Sequence, residues 1–195
     1  GPMCRTAADT GAVLGVIAGA DPNDPTASVA PVPNYLAGLE RGLNGLRIGV
    51  DPEYNRRGVD DTMTNAVKSA MSVLRAMGAD VREVTFPNTD QVVNEWSAHC
   101  GVETAYAHRD TYPKHKDRYG DALSGLIDLG HSLSATEYQE ILLHRHDFCG
   151  NVRALFEDID ILVIPAQSTA SPTLEQMATL GEDPDALFSL LRFTA

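Results

Sequence analysis

The sequence predicts an α/β fold, and three stretches carry that prediction. Leu46-Arg47-Ile48-Gly49-Val50 reads as a strand stopped by Asp51-Pro52. Residues 60–77 repeat apolar side chains at helical spacing, and Asp80 to Phe86 alternates apolar Val81, Val84 and Phe86 with polar Arg82, Glu83 and Thr85. Strand, helix and strand with short connections make a βαβ unit, whose strands should run parallel with a right-handed crossover. The third stretch, Ile159 to Ile164, is almost wholly apolar, as expected of a strand buried on both faces of a sheet, and Pro165 ends it. Strands beginning at Leu46, Asp80 and Ile159 are therefore placed in one sheet covered by helices.

The remaining elements follow in chain order. Ala8, Val13, Leu14 and Ile17 form an apolar stripe on a first short helix, with Asp9 near its positive end and Gly19 at the expected left-handed cap. Asp21-Pro22 and Asp24-Pro25 force two tight turns, because Pro lacks a backbone donor and pushes its predecessor away from helix. From Ala27 to Gly45 the Pro and Gly content predicts a surface linker with one short helix at Tyr35 to Leu39. Asp60 or Asp61 can cap the long helix, whose stripe is Met63, Val67, Ala70, Met71, Leu74 and Met77, and Gly78 ends it. The methionines read as core filler.

Asn88 to Arg109 is mostly helical, carrying Val92, Val93, Trp96, Cys100 and Tyr106. The basic cluster Lys114, His115, Lys116 and Arg118 around Pro113 reads as a solvated loop, and Ala122 to Leu129 as a short helix closed by Gly130. Ser134-Ala135-Thr136-Glu137 is a capping box, opening a helix that runs through Tyr138, Leu142, Phe148, Val152 and Leu155. Leu174 to Ala195 reads as short helices broken at Glu182-Asp183-Pro184.

Composition narrows the function classes. At 195 residues, with 43% hydrophobic and 22% charged residues, the chain can bury a real core and is not of disordered type. A net charge of -12 argues against nucleic-acid binding, which needs a basic face. No apolar run is long enough to span a membrane. Cys4, Cys100 and Cys149 have no CxxC spacing and read as reduced, partly buried thiols. The sequence contains neither G-x-G-x-x-G nor G-x-x-x-x-G-K-[ST], so nucleotide binding has no local support.

Gly1-Pro2-Met3, Arg5-Thr6, Asp9, Ile17-Ala18-Gly19-Ala20-Asp21-Pro22 and Asp24-Pro25-Thr26 together resemble the amidase signature family. The run Phe156-Glu157-Asp158 into Ile159–Ile164 and Pro165, followed by Ala166-Gln167-Ser168-Thr169-Ala170, resembles a later part of the same family. Leu190 to Ala195 looks like the start of its next motif. The resemblance implies a large mixed sheet covered by helices, with residues 1–195 as the middle portion of a single domain. It also implies a cytoplasmic C–N hydrolase acting on linear amides, with a small-molecule amide substrate and no metal or organic cofactor. In the family a Ser nucleophile, a cis-Ser and a Lys precede the first motif. This chain has no Gly-Gly-Ser run, and its first lysine is Lys68. The expectation is an internal piece of the enzyme, inactive alone. Unpaired strand edges in such a piece predict association with the rest of the domain or with a second copy.

Candidate site residues are few. In the family the loop after the buried strand lies near the acyl part of the substrate, which implies Gln167, Ser168 and Thr169 as pocket lining. Position also favours this loop, since ligands of open α/β sheets gather beyond strand carboxyl ends. The departure from the family pattern is Ala166-Gln167, where Thr residues are expected, and a plain polar loop is the competing reading. Ser168 is a poor nucleophile candidate, because no G-x-S-x-G elbow surrounds it. His99 with Glu103 and Glu140 with His144 are each four apart, but H-E-x-x-H is absent and no third ligand is apparent. Structural or surface histidines are the preferred reading. A non-catalytic α/β binding domain of the same architecture is the alternative to the enzyme reading.

Overall fold

The computed structural model describes residues 1–180, 186, 189 and 192–194. The expected break at Glu182-Asp183-Pro184, and Leu190, Leu191 and Ala195, lie outside the described residues. Two compact units divide the chain, residues 1–44 and 45–195.

In the first unit, helix α1 spans Ala7–Ile17. Thr6 caps it by accepting the Asp9 N–H at 3.0 Å on its hydroxyl, which satisfies one of the orphan donors of the first turn. The helix is where the sequence places it, yet none of its residues is buried, and Val16 and Ile17 are 84% and 62% exposed. Gly19 has φ +131°, a conformation that L side chains rarely adopt. Asp21 and Asp24 each turn the chain by accepting a backbone N–H two residues on, from Asn23 and Thr26, both at 2.8 Å. The short helix expected at Tyr35 to Leu39 is a series of turns instead. Asn34 accepts the Leu36 N–H on its side chain, and Gly38 at φ +92° prevents helical continuation.

The second unit is built on three parallel strands in the order β2-β1-β3. Strand β1 is Arg47–Val50, β2 is Asp80–Glu83 and β3 is Ile161–Leu162. Helix α2, Asp61–Ala76, connects β1 to β2 and packs Met71 on Ile48 and Val50, with Val67 and Leu74 beside them. The expected βαβ unit is therefore present, with its methionine in the core. Gly49 admits no side chain, because Ile159 lies directly over it.

Two strands are shorter than expected, for one reason. Strand β1 has only four residues before Asp51-Pro52, so its neighbours run out of ladder partners. Beyond β2, the Phe86 N–H turns to the Asp51 side chain at 2.7 Å. Around β3 the backbone bonds from Asp160 to Arg47 and from Val163 to Gly49, at 2.8 and 3.0 Å, flank the two assigned residues. The two-sided burial expected of Ile159–Ile164 holds for Ile159, 1% exposed, but not for Ile161, 42% exposed.

Four further α-helices lie between β2 and β3. Helix α3 is Asp90–Ala107, α4 is Tyr112–His115, α5 is Asp121–Ser132 and α6 is Ala135–Leu155. The Ser134–Glu137 capping box is formed in both directions. Helix α5 does not close at Gly130. It runs on to Ser132, and Gly130 meets Gly101 of α3 so closely that a Cβ would overlap the Gly101 carbonyl. The basic cluster is not a loop, because α4 and a 3₁₀ turn at Lys116–Arg118 occupy it. There Lys116 pairs with Asp128 at 2.9 Å, and Tyr112 packs with Ala105 and Ile127. Helix α7, Leu174–Thr179, is capped by Thr173 and Gln176. No helix among the described residues is long and apolar enough to cross a membrane.

Candidate functional site

The loop leaving β1 organises the carboxyl end of the sheet. Asp51 is 7% exposed, and its carboxylate accepts the N–H groups of Glu53, Tyr54 and Phe86 at 2.7–2.9 Å. It thereby ties the turn to the segment after β2. Asn55, 5% exposed, donates to the Val163 carbonyl at 2.9 Å and ties the same turn to the chain after β3. Asp60 closes the set. Its carboxylate caps α2 through the Met63 N–H at 2.7 Å and accepts the Ala170 N–H at 3.0 Å. Its own N–H donates to the Ser168 carbonyl at 2.8 Å. The backbone donors of Met63, Ala170 and Thr62 hold the Asp60 carboxyl below the usual carboxylate range.

These bonds fix the 168–170 backbone as one wall of a cavity of about 550 Å³. Asp60, Ser168, Thr169, Ala170, Ser171 and Gln176 contribute to its lining. The lining sets hydroxyls, a carboxamide and a carboxylate among apolar side chains such as Pro172 and Leu180. Such groups suit a ligand with hydrogen-bonding donors and acceptors rather than a purely apolar one. Ser168 is 1% exposed, and Thr169 is exposed. Gln167 is half-buried and is not among the residues lining the cavity. The sequence-derived trio thus divides, with two members on the wall and one flanking it. From the sequence Asp60 reads only as one of two candidate helix caps, with Asp61 the other. Nothing in the sequence signals its second partner, which lies 110 residues away.

The Ser168 hydroxyl accepts a hydrogen bond from Ser189 at 2.9 Å. No His, Lys or carboxylate bonds it among the described residues, so the base that would activate a serine is not beside it. Nearby, Arg192 donates to the carbonyls of Tyr54 and Arg57, and its guanidinium stacks 4.6 Å from the Tyr54 ring centroid. This holds the 54–57 turn from its other side.

The histidines take structural partners. His144 pairs with Glu95 of α3 at 2.8 Å, not with its helical neighbour Glu140. His99 stacks on Tyr138 at 5.8 Å and lies 3.6 Å from Glu103. Among the described residues no group of three or more His, Cys, Asp or Glu is arranged to hold a metal ion. Cys100 and Cys149 are half-buried as expected, whereas Cys4 is exposed. Burial, with Glu103 nearby, pushes the Cys100 thiol pKa up.

Comparison with known proteins places this architecture. The family model described as Amidase matches residues 1–195. AmiD of Mycobacterium tuberculosis, an amidase by name, is 40% identical over 196 residues, covering 100% of this chain and 41% of that protein. An amidase of Pseudomonas putida is 33% identical over 165 residues, covering 85% of this chain and 35% of that protein. The chain therefore spans about two fifths or less of the length of these relatives. Among solved structures, a bacterial aryl acylamidase of the amidase signature enzymes superposes with a TM-score of 0.76 at 23% identity, covering 89% of this chain and 37% of that one. The 6-aminohexanoate cyclic dimer hydrolase gives 0.77 at 21% identity, covering 94% and 40%. These two likenesses bear on the fold, and the match along all 195 residues bears on descent: the chain belongs to the amidase signature family.

Proposed function

We propose that this chain supplies scaffold and part of the substrate pocket of an amide hydrolase, as the middle portion of one amidase signature domain. The supporting observation is the cavity walled by the 168–171 loop at the carboxyl end of the sheet, with Asp60 fixing that loop at both Ser168 and Ala170. In this reading Ser168 and Thr169 border the acyl side of the substrate, and Gln167 flanks it. The reaction is hydrolysis of the C–N bond of a linear amide in the cytoplasm. A serine outside these residues attacks the carbonyl, a cis-Ser and a Lys move its proton to the leaving amine, and backbone N–H groups stabilise the oxyanion. Water then releases the acid. The exposed side of β3 associates with the remainder of the domain or with a second copy.

Two measurements test this. In the complete protein, Thr169→Ala is expected to raise KM for an aryl amide about threefold to tenfold with kcat little changed, the pattern of lost binding contacts. Ser168→Ala is expected to leave covalent labelling by a fluorophosphonate intact, and the 195-residue chain alone is expected to be neither labelled nor active. Labelling lost with Ser168→Ala, or serine-dependent turnover by the isolated chain, would overturn the proposal.

A further inference from the structure

The cavity behind Ser168 differs from its neighbours in charge. Three other cavities set a cation beside a carboxylate, Lys68 with Glu83, Arg57 with Asp90 and Arg145 with Glu95. Among the described residues lining the Ser168 cavity, Asp60 alone is ionisable. Residues outside those described include no Lys, Arg or His, so none of them can balance it. Ser189 also lines a cavity with Arg57 and Arg192, but both cations are committed there. Arg57 pairs with Asp90 at 3.0 Å, and Arg192 donates to the carbonyls of Tyr54 and Arg57.

The Asp60 carboxylate is held in place and still has capacity to bind. Oδ1 accepts the Met63 N–H at 2.7 Å, and Oδ2 accepts the Ala170 N–H at 3.0 Å. A carboxylate offers about four acceptor positions, so capacity remains on both oxygens. The residue is half-buried and lines the cavity, which leaves that capacity open to a ligand. Its backbone donors keep the group ionised at neutral pH. Thr169 and Ser171 add hydroxyl oxygens to the same lining.

We propose that Asp60 makes this pocket select amides whose acyl part carries an ammonium group and reject those whose acyl part carries a carboxylate. This selectivity rests on the amide hydrolase reading and gives it a substrate class. One uncompensated carboxylate attracts the cation and repels the anion, so both halves of the preference come from the same group.

The test uses three 4-nitroanilides that share a leaving group and have acyl chains of nearly equal length. At neutral pH the β-alanyl compound is a cation, the butanoyl compound is neutral and the succinyl compound is an anion. In the complete protein each is measured by turnover and by protection against fluorophosphonate labelling, so a poor substrate still reports its binding. The β-alanyl compound is expected to exceed the butanoyl one about threefold to tenfold, and the succinyl one to fall about tenfold below it. Asp60→Asn keeps a capping oxygen and removes the charge. It should lower the cation-to-anion ratio about tenfold or more, whereas a purely structural role would move all three compounds together. Asp61→Asn removes a neighbouring exposed charge that does not line the cavity, and should change the ratio less than about twofold. Equal protection by the three compounds, or a ratio unchanged in Asp60→Asn, would overturn this inference and leave the amide hydrolase reading standing. An equal fall in Asp61→Asn would overturn it too, by assigning the preference to the general charge of the chain. Absence of any fluorophosphonate labelling would overturn the amide hydrolase reading and this inference with it.

Discussion

Helices α1 and α2 start alike and end in different circumstances. Each has an oxygen-bearing N-cap, Thr6 or Asp60, that accepts the N–H three residues on, but α2 gathers its apolar residues into one stripe whereas α1 is apolar on all sides. On α2 that stripe packs on β1, with Met71 4% exposed. On α1 no residue is buried. The contrast separates two contributions to a helix. Capping and periodicity make a segment helical, whereas burial against a partner makes it stable, since isolated helices of this length are marginal in water. The caps differ as well. Thr6 serves its own helix, whereas Asp60 also holds the loop at the pocket wall.

The comparison can be broken most severely at Met71. Met71→Ala is expected to cost about 3 kcal/mol, because the side chain is lost from a packed cluster and leaves a cavity. Urea unfolding followed by far-UV circular dichroism measures it. Asp60→Ala should cost about 2 kcal/mol, the ordinary cap contribution of ~1 plus the backbone donors left behind at Ala170. Its distinguishing sign is faster amide exchange at Ala170 as well as in the first turn of α2. Thr6→Ala should cost about 1 kcal/mol or less and speed exchange only around Asp9. Val16→Ser, on the exposed side of α1, should stay within ~0.5 kcal/mol of the parent.

Acid sharpens the same distinction. The Arg47 guanidinium and backbone N–H hold the Asp160 carboxyl down to about 2, against an ordinary 3.8. A carboxyl depressed in the folded chain contributes its stability in full above its unfolded value. That contribution is lost as pH falls through the folded value. Stability tied to the β1–β3 edge should therefore be constant above about pH 4 and decline toward pH 2, with a shallower decline in Asp160→Asn. Asp60, depressed by its backbone donors, should weaken in the same direction. The Thr6 hydroxyl carries no titrating charge, so the cap of α1 should be insensitive over that range.

Legibility from sequence tracked the range of the interaction. The helix cap at Ser134, a cap at Asp60 or Asp61, the turns at Asp21 and Asp24 and the presence of three strands are all readable, because their signals sit within a few residues of one another. From sequence, helix α5 ends at Gly130, since a glycine reads as a stop when its packing partner is unknown. Its actual reason is Gly101, across a helix crossing. The basic cluster reads as a loop for a similar reason: Asp128, which pairs with Lys116, lies on the next helix. At the candidate site, the family resemblance and the position after a strand single out the loop of Gln167, Ser168 and Thr169, and only the fold shows which of the three line the cavity.

Local sequence marks the starts of α1, α2, α5 and α6 and of β1 and β2, the α/β arrangement of the strands and the family the chain resembles. Those follow from spacing, capping and turn chemistry that act between near neighbours. Tertiary structure alone decided which apolar stripe is buried, how far each strand stays paired and which side chains hold the pocket wall. Asn55 reaches Val163 across 108 residues and Asp60 reaches Ala170 across 110. Contacts at that separation exist only once the sheet brings the strand ends together, so no local pattern encodes them.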